Sequence, residues 1–259
     1  MFSWKYVNRI VRMSLAVAVA PVGVVVADAQ NNEAEAVSDL PTITELVQSY
    51  VEFNGGRSNM AQIQSLIVSG EMHLSEGEVR RFKLIKKRPL FLRLQIEYDQ
   101  GTVTTYFDGE NVWRKYENST GEHSVEDLTE QQLAAYIAES PIEGPFYQLS
   151  RDLNSIESIE EDEVNGMPAY KVTVAANIEF SHDTIWLSQE HFQEIKLKRH
   201  FMQDGEAVVE ETYMLEHEKA DGVYYAIRTV VYRDGVVHSS LTVDRVRTNV
   251  GVFDRMFRP

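Results

Sequence analysis

Apolar and polar residues alternate along much of this chain, as they do in β-strands that bury one face. The clearest example places Leu92, Leu94, Ile96 and Tyr98 on one face, with charged or amide residues on the other. The same period of two begins at Gln64 and returns in segment after segment to the C-terminus. Short connections join these segments, which favours antiparallel neighbours. The pattern predicts about eleven strands in one large curved antiparallel sheet, because no βαβ rhythm accompanies it.

Pairs of turn residues predict the hairpins of this sheet. Asp-Gly pairs occur at 204–205, 221–222 and 234–235, and an Asn-Gly pair occurs at 165–166. Such pairs suit type I′ turns, which need positive φ at both central positions. Val, Tyr, Thr and Ile are frequent between the last three turns, and these residues fit a pleated, half-buried surface. We therefore expect the chain to end in a meander of long strands.

Two interruptions of the alternation predict helices. The first helix begins at Thr42, whose side chain forms a capping box with Glu45, and it ends near Asn54 before two glycines. The second interruption runs from Thr129 to Pro145, where apolar residues recur at helical spacing before a stiff Ser-Pro turn. An insertion of this kind in a meander is either a cap over an open end of the sheet or a lid over a cavity.

The first 29 residues have the three-part pattern of a cleaved secretory signal peptide. Basic residues precede an apolar run from Met13 to Val26, and Ala27 and Ala29 are small residues at the positions that a signal peptidase reads. A membrane anchor is the alternative. It is less favoured because the run is shorter than a spanning helix and contains Pro21.

The remaining chain predicts a polar, flexible leader at residues 30–40 and a single domain at residues 41–259. The sequence contains no cysteine, so it has neither a lipid-accepting lipobox cysteine nor a disulfide framework. Its formal net charge is −15. Such an acidic protein is a poor partner for nucleic acid, and we expect none.

No pattern in the sequence indicates catalysis or a cofactor. The chain has no GxSxG elbow, P-loop, GxGxxG or HExxH motif. None of its seven histidines pairs with another at metal-ligand spacing. We therefore expect a protein that is not an enzyme and that holds neither metal nor cofactor.

One concentration of basic residues stands out in this acidic chain. It consists of Arg80, Arg81, Lys83, Lys86, Lys87 and Arg88. The group fits an anionic head group or an acidic partner, and it equally fits a solvated hairpin.

Several stretches resemble the LolA-like proteins, the outer-membrane lipoprotein-sorting family of bacterial envelopes. They are YVEFNGG with IQSLIVSGEM, VNGMPAYKVTV with DTIWLSQE, and DGVYYAIRTVVYRDG with LTVDRVRTNVGVFDRMFRP. The resemblance covers most of residues 41–259. It implies a half-open β-barrel whose helices close an apolar cavity for acyl chains. The absence of cysteine excludes the membrane-anchored acceptor relatives, which need one.

These observations lead to one hypothesis: a periplasmic, monomeric carrier that binds an acylated lipoprotein or lipid and meets transport proteins of the inner and outer membranes. The residues expected to bind the ligand comprise a cavity wall and a lid. The wall is Leu66, Val68, Met72, Leu92, Leu94, Ile96 and Tyr98, and the lid is Tyr136, Ile137, Pro141 and Phe146. Alternation alone does not say which face of the sheet points inward.

Two other functions remain open at this point. The same half-barrel could be an envelope-stress sensor that binds lipoproteins and a regulatory protein. It could also be an enzyme that modifies envelope lipids. Recovery of a regulatory membrane partner would favour the sensor, and activity lost on mutation of a histidine or carboxylate would favour the enzyme.

Overall fold

The computed structural model of the protein describes residues 40–176, 180–203 and 205–259. The expected signal peptide and all but the last residue of the expected leader lie outside this part of the chain. Within it, the helices are α1 (Ile43–Phe53), α2 (Gly56–Gln62), α3 (Glu130–Glu139) and α4 (Pro145–Leu149). The strands are β1 (Ser65–Leu74), β2 (Val79–Lys87), β3 (Phe91–Tyr98), β4 (Gly101–Phe107), β5 (Val112–Asn118), β6 (His123–Asp127), β7 (Ile156–Val164), β8 (Met167–Val174), β9 (Thr184–Ser188), β10 (Glu194–Gln203), β11 (Glu206–Ala220), β12 (Val223–Arg233) and β13 (Val236–Thr248).

The strands form a single antiparallel sheet in the order β6-β5-β4-β3-β2-β1-β13-β12-β11-β10-β9-β8-β7. The first and last strands meet at the middle of the sheet, where β1 pairs with β13. The edge strands β6 and β7 do not pair with each other, so the sheet does not close. The expected mainly β fold, an incompletely closed antiparallel sheet with helices, is confirmed.

The described chain has thirteen strands instead of about eleven. Strand β6 was not predicted from the sequence because all five of its residues are exposed. A strand that is solvent-exposed on both faces shows no alternation of apolar and polar residues.

Three of the four predicted turns are present, whereas the turn at 204–205 includes a residue that lies outside the described part of the chain. Asp221 and Gly222 have φ of 46° and 82°, and Asp234 and Gly235 have φ of 49° and 78°. These values place both central residues of each turn in the left-handed region, as type I′ geometry requires. The turn at Asn165 has the same conformation, with φ of 53°.

Helix α1 also follows the prediction. The Thr42 side chain accepts a hydrogen bond from the Glu45 amide, and the Glu45 side chain accepts one from the Thr42 amide. The apolar face of α1 packs with α4 against β8, β9 and β10, and together they make the largest apolar core. This core buries Leu46, Phe146 and Leu187 completely. The helices therefore cover the inner face of one half of the sheet.

The insertion between β6 and β7 contains α3 and α4. Helix α3 begins with a second capping box, formed by Thr129 and Gln132. Residues 138–145, called the lid segment below, comprise the last two residues of α3, the connection between the helices and the first residue of α4. In the described part of the chain, no helix is long and apolar enough to cross a membrane.

Candidate functional site: the cavity beneath the lid segment

A cavity of about 480 Å³ lies between the inner face of the sheet, helices α1 and α2, and the lid segment. Its volume falls in the range of about 300–1,000 Å³ that is typical of small-molecule sites. Its walls are mostly apolar, and Met60, Val68, Leu84 and Leu241 are among the residues that line them. An apolar hollow of this size favours the burial of a hydrocarbon chain.

The register of the strands explains why one face of the sheet makes this wall. Val68 of β1 lies opposite Leu84 of β2, and Leu84 lies opposite Leu94 of β3. Side chains directly opposite each other in antiparallel strands share a face. The apolar rows of three neighbouring strands therefore meet on the inner side of the sheet.

Six of the eleven residues expected to bind the ligand lie along this cavity. They are Leu66, Val68, Met72, Leu92, Leu94 and Pro141. Ile96 and Tyr98 share the face of Leu94 but lie outside the cavity lining, and Tyr98 packs beneath the Arg80 guanidinium at 5.2 Å from its ring centroid. The role of all eleven in ligand binding stays a prediction.

The other three residues expected in the lid lie elsewhere. Tyr136 packs with Leu92 and Phe107 in a separate apolar cluster, and Phe146 is fully buried in the core beneath α1. Ile137 is 44% exposed. Helical spacing identified the insertion but not which of its residues would face the cavity, because that depends on contacts distant in sequence.

Two basic side chains hold the lid segment in place: Lys86, which lies in β2, and Arg88, which directly follows this strand. The Lys86 ammonium donates to the Pro141 carbonyl oxygen at 2.9 Å. The Arg88 guanidinium donates to the Glu143 carboxylate at 2.6 Å and to the carbonyl oxygen of Met60 at 3.0 Å. Burial lowers the pKa of Lys86, with the neighbouring carboxylates opposing the shift.

The basic group found in the sequence is thus divided between two environments. Arg80 and Lys86 point to the inner face, where Arg80 lies opposite Met72 and Lys86 lines the cavity. Arg81 and Lys83 are exposed on the opposite face. The group is therefore not one uniform solvated patch.

Glu194 is a buried carboxyl at the start of β10. It accepts a hydrogen bond from the Phe146 amide at 2.7 Å and from the Tyr50 hydroxyl at 3.2 Å. Burial raises the pKa of Glu194 to about 7, and the two hydrogen bonds only partly oppose the shift. Gly144 of the lid segment leaves the space that this carboxyl occupies, since a Cβ there would lie 2.6 Å from a carboxyl oxygen. Glu194 therefore joins α1, α4 and the lid segment to the sheet.

A second polar group lines the cavity further along β10. Arg199 pairs with Glu210, and both side chains are buried. His182 lies beside them with its Nδ1 at 2.9 Å from the Ser181 hydroxyl. Burial lowers the pKa of His182 to about 3, and the charge of Arg199 adds to the shift, so the imidazole is neutral at physiological pH.

The sequence analysis did not select Glu194, Arg199, Glu210 or His182. One signal for Arg199 was present, because it is the only charged residue in the inward row that also contains Leu197 and Phe201. Within the described residues, no group of three or more histidine and carboxylate side chains could hold a metal ion.

Comparison with solved structures confirms the LolA-like fold expected from the sequence. An outer membrane lipoprotein-sorting protein domain from Vibrio parahaemolyticus superposes with a TM-score of 0.51 at 10% identity, over 83% of this chain and 97% of that one. A DUF1329 family protein from Desulfovibrio piger superposes with a TM-score of 0.50 at 13% identity, over 83% and 97%. A LolA superfamily protein from Nitrosomonas europaea gives a TM-score of 0.49 at 10% identity, over 85% and 99%.

At these identities the similarity establishes the fold and nothing finer. No protein-family model matches the sequence, and no curated protein sequence matches it.

Proposed function

We propose that the protein is a periplasmic carrier that binds the acyl chains of a lipid or lipoprotein in the cavity beneath the lid segment and releases them unchanged. The observation that carries this proposal is the cavity itself, which is apolar along β1, β2 and β3 and covered by helices. Each methylene moved from water into such a site contributes about 0.8 kcal/mol. A long acyl chain can therefore bind tightly without any covalent step.

The lid segment supplies a means of entry and release. It is attached to the sheet by side-chain contacts from Lys86 and Arg88, and its residues line the cavity together with Leu84. Contacts of this kind break and re-form without unfolding the sheet. The segment can then move while the wall made by the strands stays intact.

The location and partners follow from the rest of the chain. The secretory pattern of residues 1–29 supports export to the periplasm, where an acyl chain crossing water needs a carrier. The fold is that of a lipoprotein-sorting domain, which supports an acylated lipoprotein or a lipid as the cargo. Donor and acceptor proteins of the two membranes would complete such a pathway.

A cavity-blocking variant tests this proposal. Leu84→Trp places a large side chain in the cavity, whereas Lys83→Trp makes the same replacement at the adjacent exposed position on the opposite face. We expect a fluorescent fatty acid to bind the wild type and Lys83→Trp equally, and Leu84→Trp at least about tenfold more weakly, a loss of about 1.4 kcal/mol. Circular dichroism checks that both variants fold.

Two results would contradict the carrier. One is a wild-type protein that takes up no fatty acid, and the other is equal binding by both tryptophan variants.

A further inference from the structure

Two buried charges and one largely buried charge lie side by side on the inner face of the sheet, next to the cavity. The register places Arg199 of β10 opposite Glu210 of β11, and Glu210 opposite Arg233 of β12. The Arg199 guanidinium donates to one Glu210 oxygen at 2.5 Å, and the Arg233 guanidinium donates to the other at 2.8 Å. The exposed fractions of the three side chains are 8%, 6% and 13%.

The cluster carries one more positive charge than negative charge. A single carboxylate serves both guanidiniums, and both of its oxygens are already used. Among the residues that the structure describes, Arg199 and Arg233 form ion pairs with no other carboxylate. A buried charge is costly unless it is paired, so this excess favours an anion beside it.

Arg199 also has a donor left over. Its Nε is buried and has no hydrogen-bond partner, although buried donors in native structures nearly always have one. Arg199 and Glu210 line the same cavity as Leu84 and Leu197. The free donor and the excess charge thus lie at the wall of an apolar hollow.

The neighbouring imidazoles do not change this balance. Burial lowers the pKa of both His182 and His238, so neither adds positive charge at neutral pH. His182 lines the cavity and offers a neutral polar ring next to Ser181. The positive charge beside it therefore comes from Arg199 and Arg233, whereas Lys86, which also lines the cavity, donates to the lid segment at Pro141.

We propose that the cavity selects amphiphiles with an anionic head group, which pairs with Arg199 while the acyl chain extends along the apolar wall. The head group is a carboxylate or a phosphate monoester, since both accept parallel hydrogen bonds from a guanidinium. A free fatty acid and a lysophosphatidic acid are the two sources of this chemistry. The inference rests on the proposed carrier function and adds the charge of the cargo to it.

Binding of three probes to the full protein, by displacement of a fluorescent lipid, tests the selection. Palmitate, palmitoyl lysophosphatidic acid and cetyl alcohol carry chains of equal length and differ in the head group. We expect at least one anionic probe to bind about tenfold or more tightly than the alcohol. A preference for palmitate identifies a carboxylate site, and a preference for the lysolipid identifies a phosphate site.

Charge variants then assign the preference to the cluster. Arg199→Gln leaves one carboxylate and one guanidinium, so the ratio of affinities for anion and alcohol should fall to about one. Glu210→Gln removes the compensating charge and should increase the ratio. Arg228→Gln, which removes an exposed arginine paired with Glu216, should leave it unchanged. The two cluster variants act in opposite directions, so a folding defect in one of them does not decide the test.

The outcomes separate the two proposals. If the wild type binds the alcohol and both anions equally, the head-group inference is wrong and the carrier function stands. If no probe binds, the carrier function itself is wrong. If the preference for an anion persists in Arg199→Gln, the excess charge of this cluster is not its cause.

Discussion

Replacing Glu194 by glutamine should stabilise the protein at neutral pH and have little effect in acid. The folded state raises the pKa of Glu194 from 4.5 to about 7, because the carboxyl is buried beneath α1 and α4. The folded protein therefore keeps this proton up to about pH 7, whereas the unfolded chain releases it near pH 4.5. The contribution of the protonated Glu194 side chain to the free energy of unfolding is fully present below pH 4.5, and it is lost as the pH rises through about 7.

The size of the effect follows from the shift. One pKa unit corresponds to about 1.36 kcal/mol, so the shift of Glu194 predicts a loss of about 3 kcal/mol across this range. Glutamine has nearly the same shape and no charge to desolvate. Its side-chain oxygen can still accept hydrogen bonds from the Tyr50 hydroxyl and the Phe146 amide.

Urea unfolding followed by tryptophan fluorescence measures the prediction. The free energy of unfolding is determined for the wild type and Glu194→Gln at several pH values, and the difference between them is plotted. We expect this difference to grow by about 1.4 kcal/mol per pH unit between pH 4.5 and about 7. Glu190→Gln, at an exposed carboxyl in the turn before β10, serves as the control. A difference that does not change with pH would refute the reasoning.

Two further predictions concern the backbone and the lid segment. Gly55 has φ of 102° and a Cβ there would lie 2.1 Å from the Gly222 carbonyl oxygen, whereas Gly235 has φ of 78° and open space around it. In urea unfolding, Gly235→Ala should cost about 1–2 kcal/mol and Gly55→Ala about 3 kcal/mol or more, and equal costs would contradict the close contact. Lys86→Met removes the hydrogen bond to Pro141 but keeps the aliphatic stem, so amide exchange in residues 138–144 should accelerate about tenfold. Lys83→Met is its exposed control, and unchanged exchange in Lys86→Met would show that this contact does not hold the lid segment.

The elements that could be predicted from sequence are those specified by neighbouring residues. The Asp-Gly turns at 221–222 and 234–235 and the capping box of Thr42 and Glu45 are specified locally, and all three are present in the structure. Alternation also placed Leu92 and Leu94 together on one face of β3, and the structure shows that this face borders the cavity. Each of these features needs only the chain within a few residues.

The features that escaped sequence analysis depend on contacts between distant segments. Phe146 and Tyr136 lie in the insertion that was expected to form the lid, but their side chains pack into two different apolar clusters. The cluster of Arg199, Glu210 and Arg233 exists only because three strands align these positions across the sheet. A charged residue in an apolar row marks such a place, but the sequence does not show what stands opposite it.

Native mass spectrometry of the protein purified from the cells that naturally produce it tests the central claim most directly. If the cavity carries acyl chains, the wild type should retain a lipid whose mass is released on denaturation, and Leu84→Trp should retain far less. A wild-type protein that is free of lipid, and that also fails to take up a fluorescent fatty acid, would contradict the account.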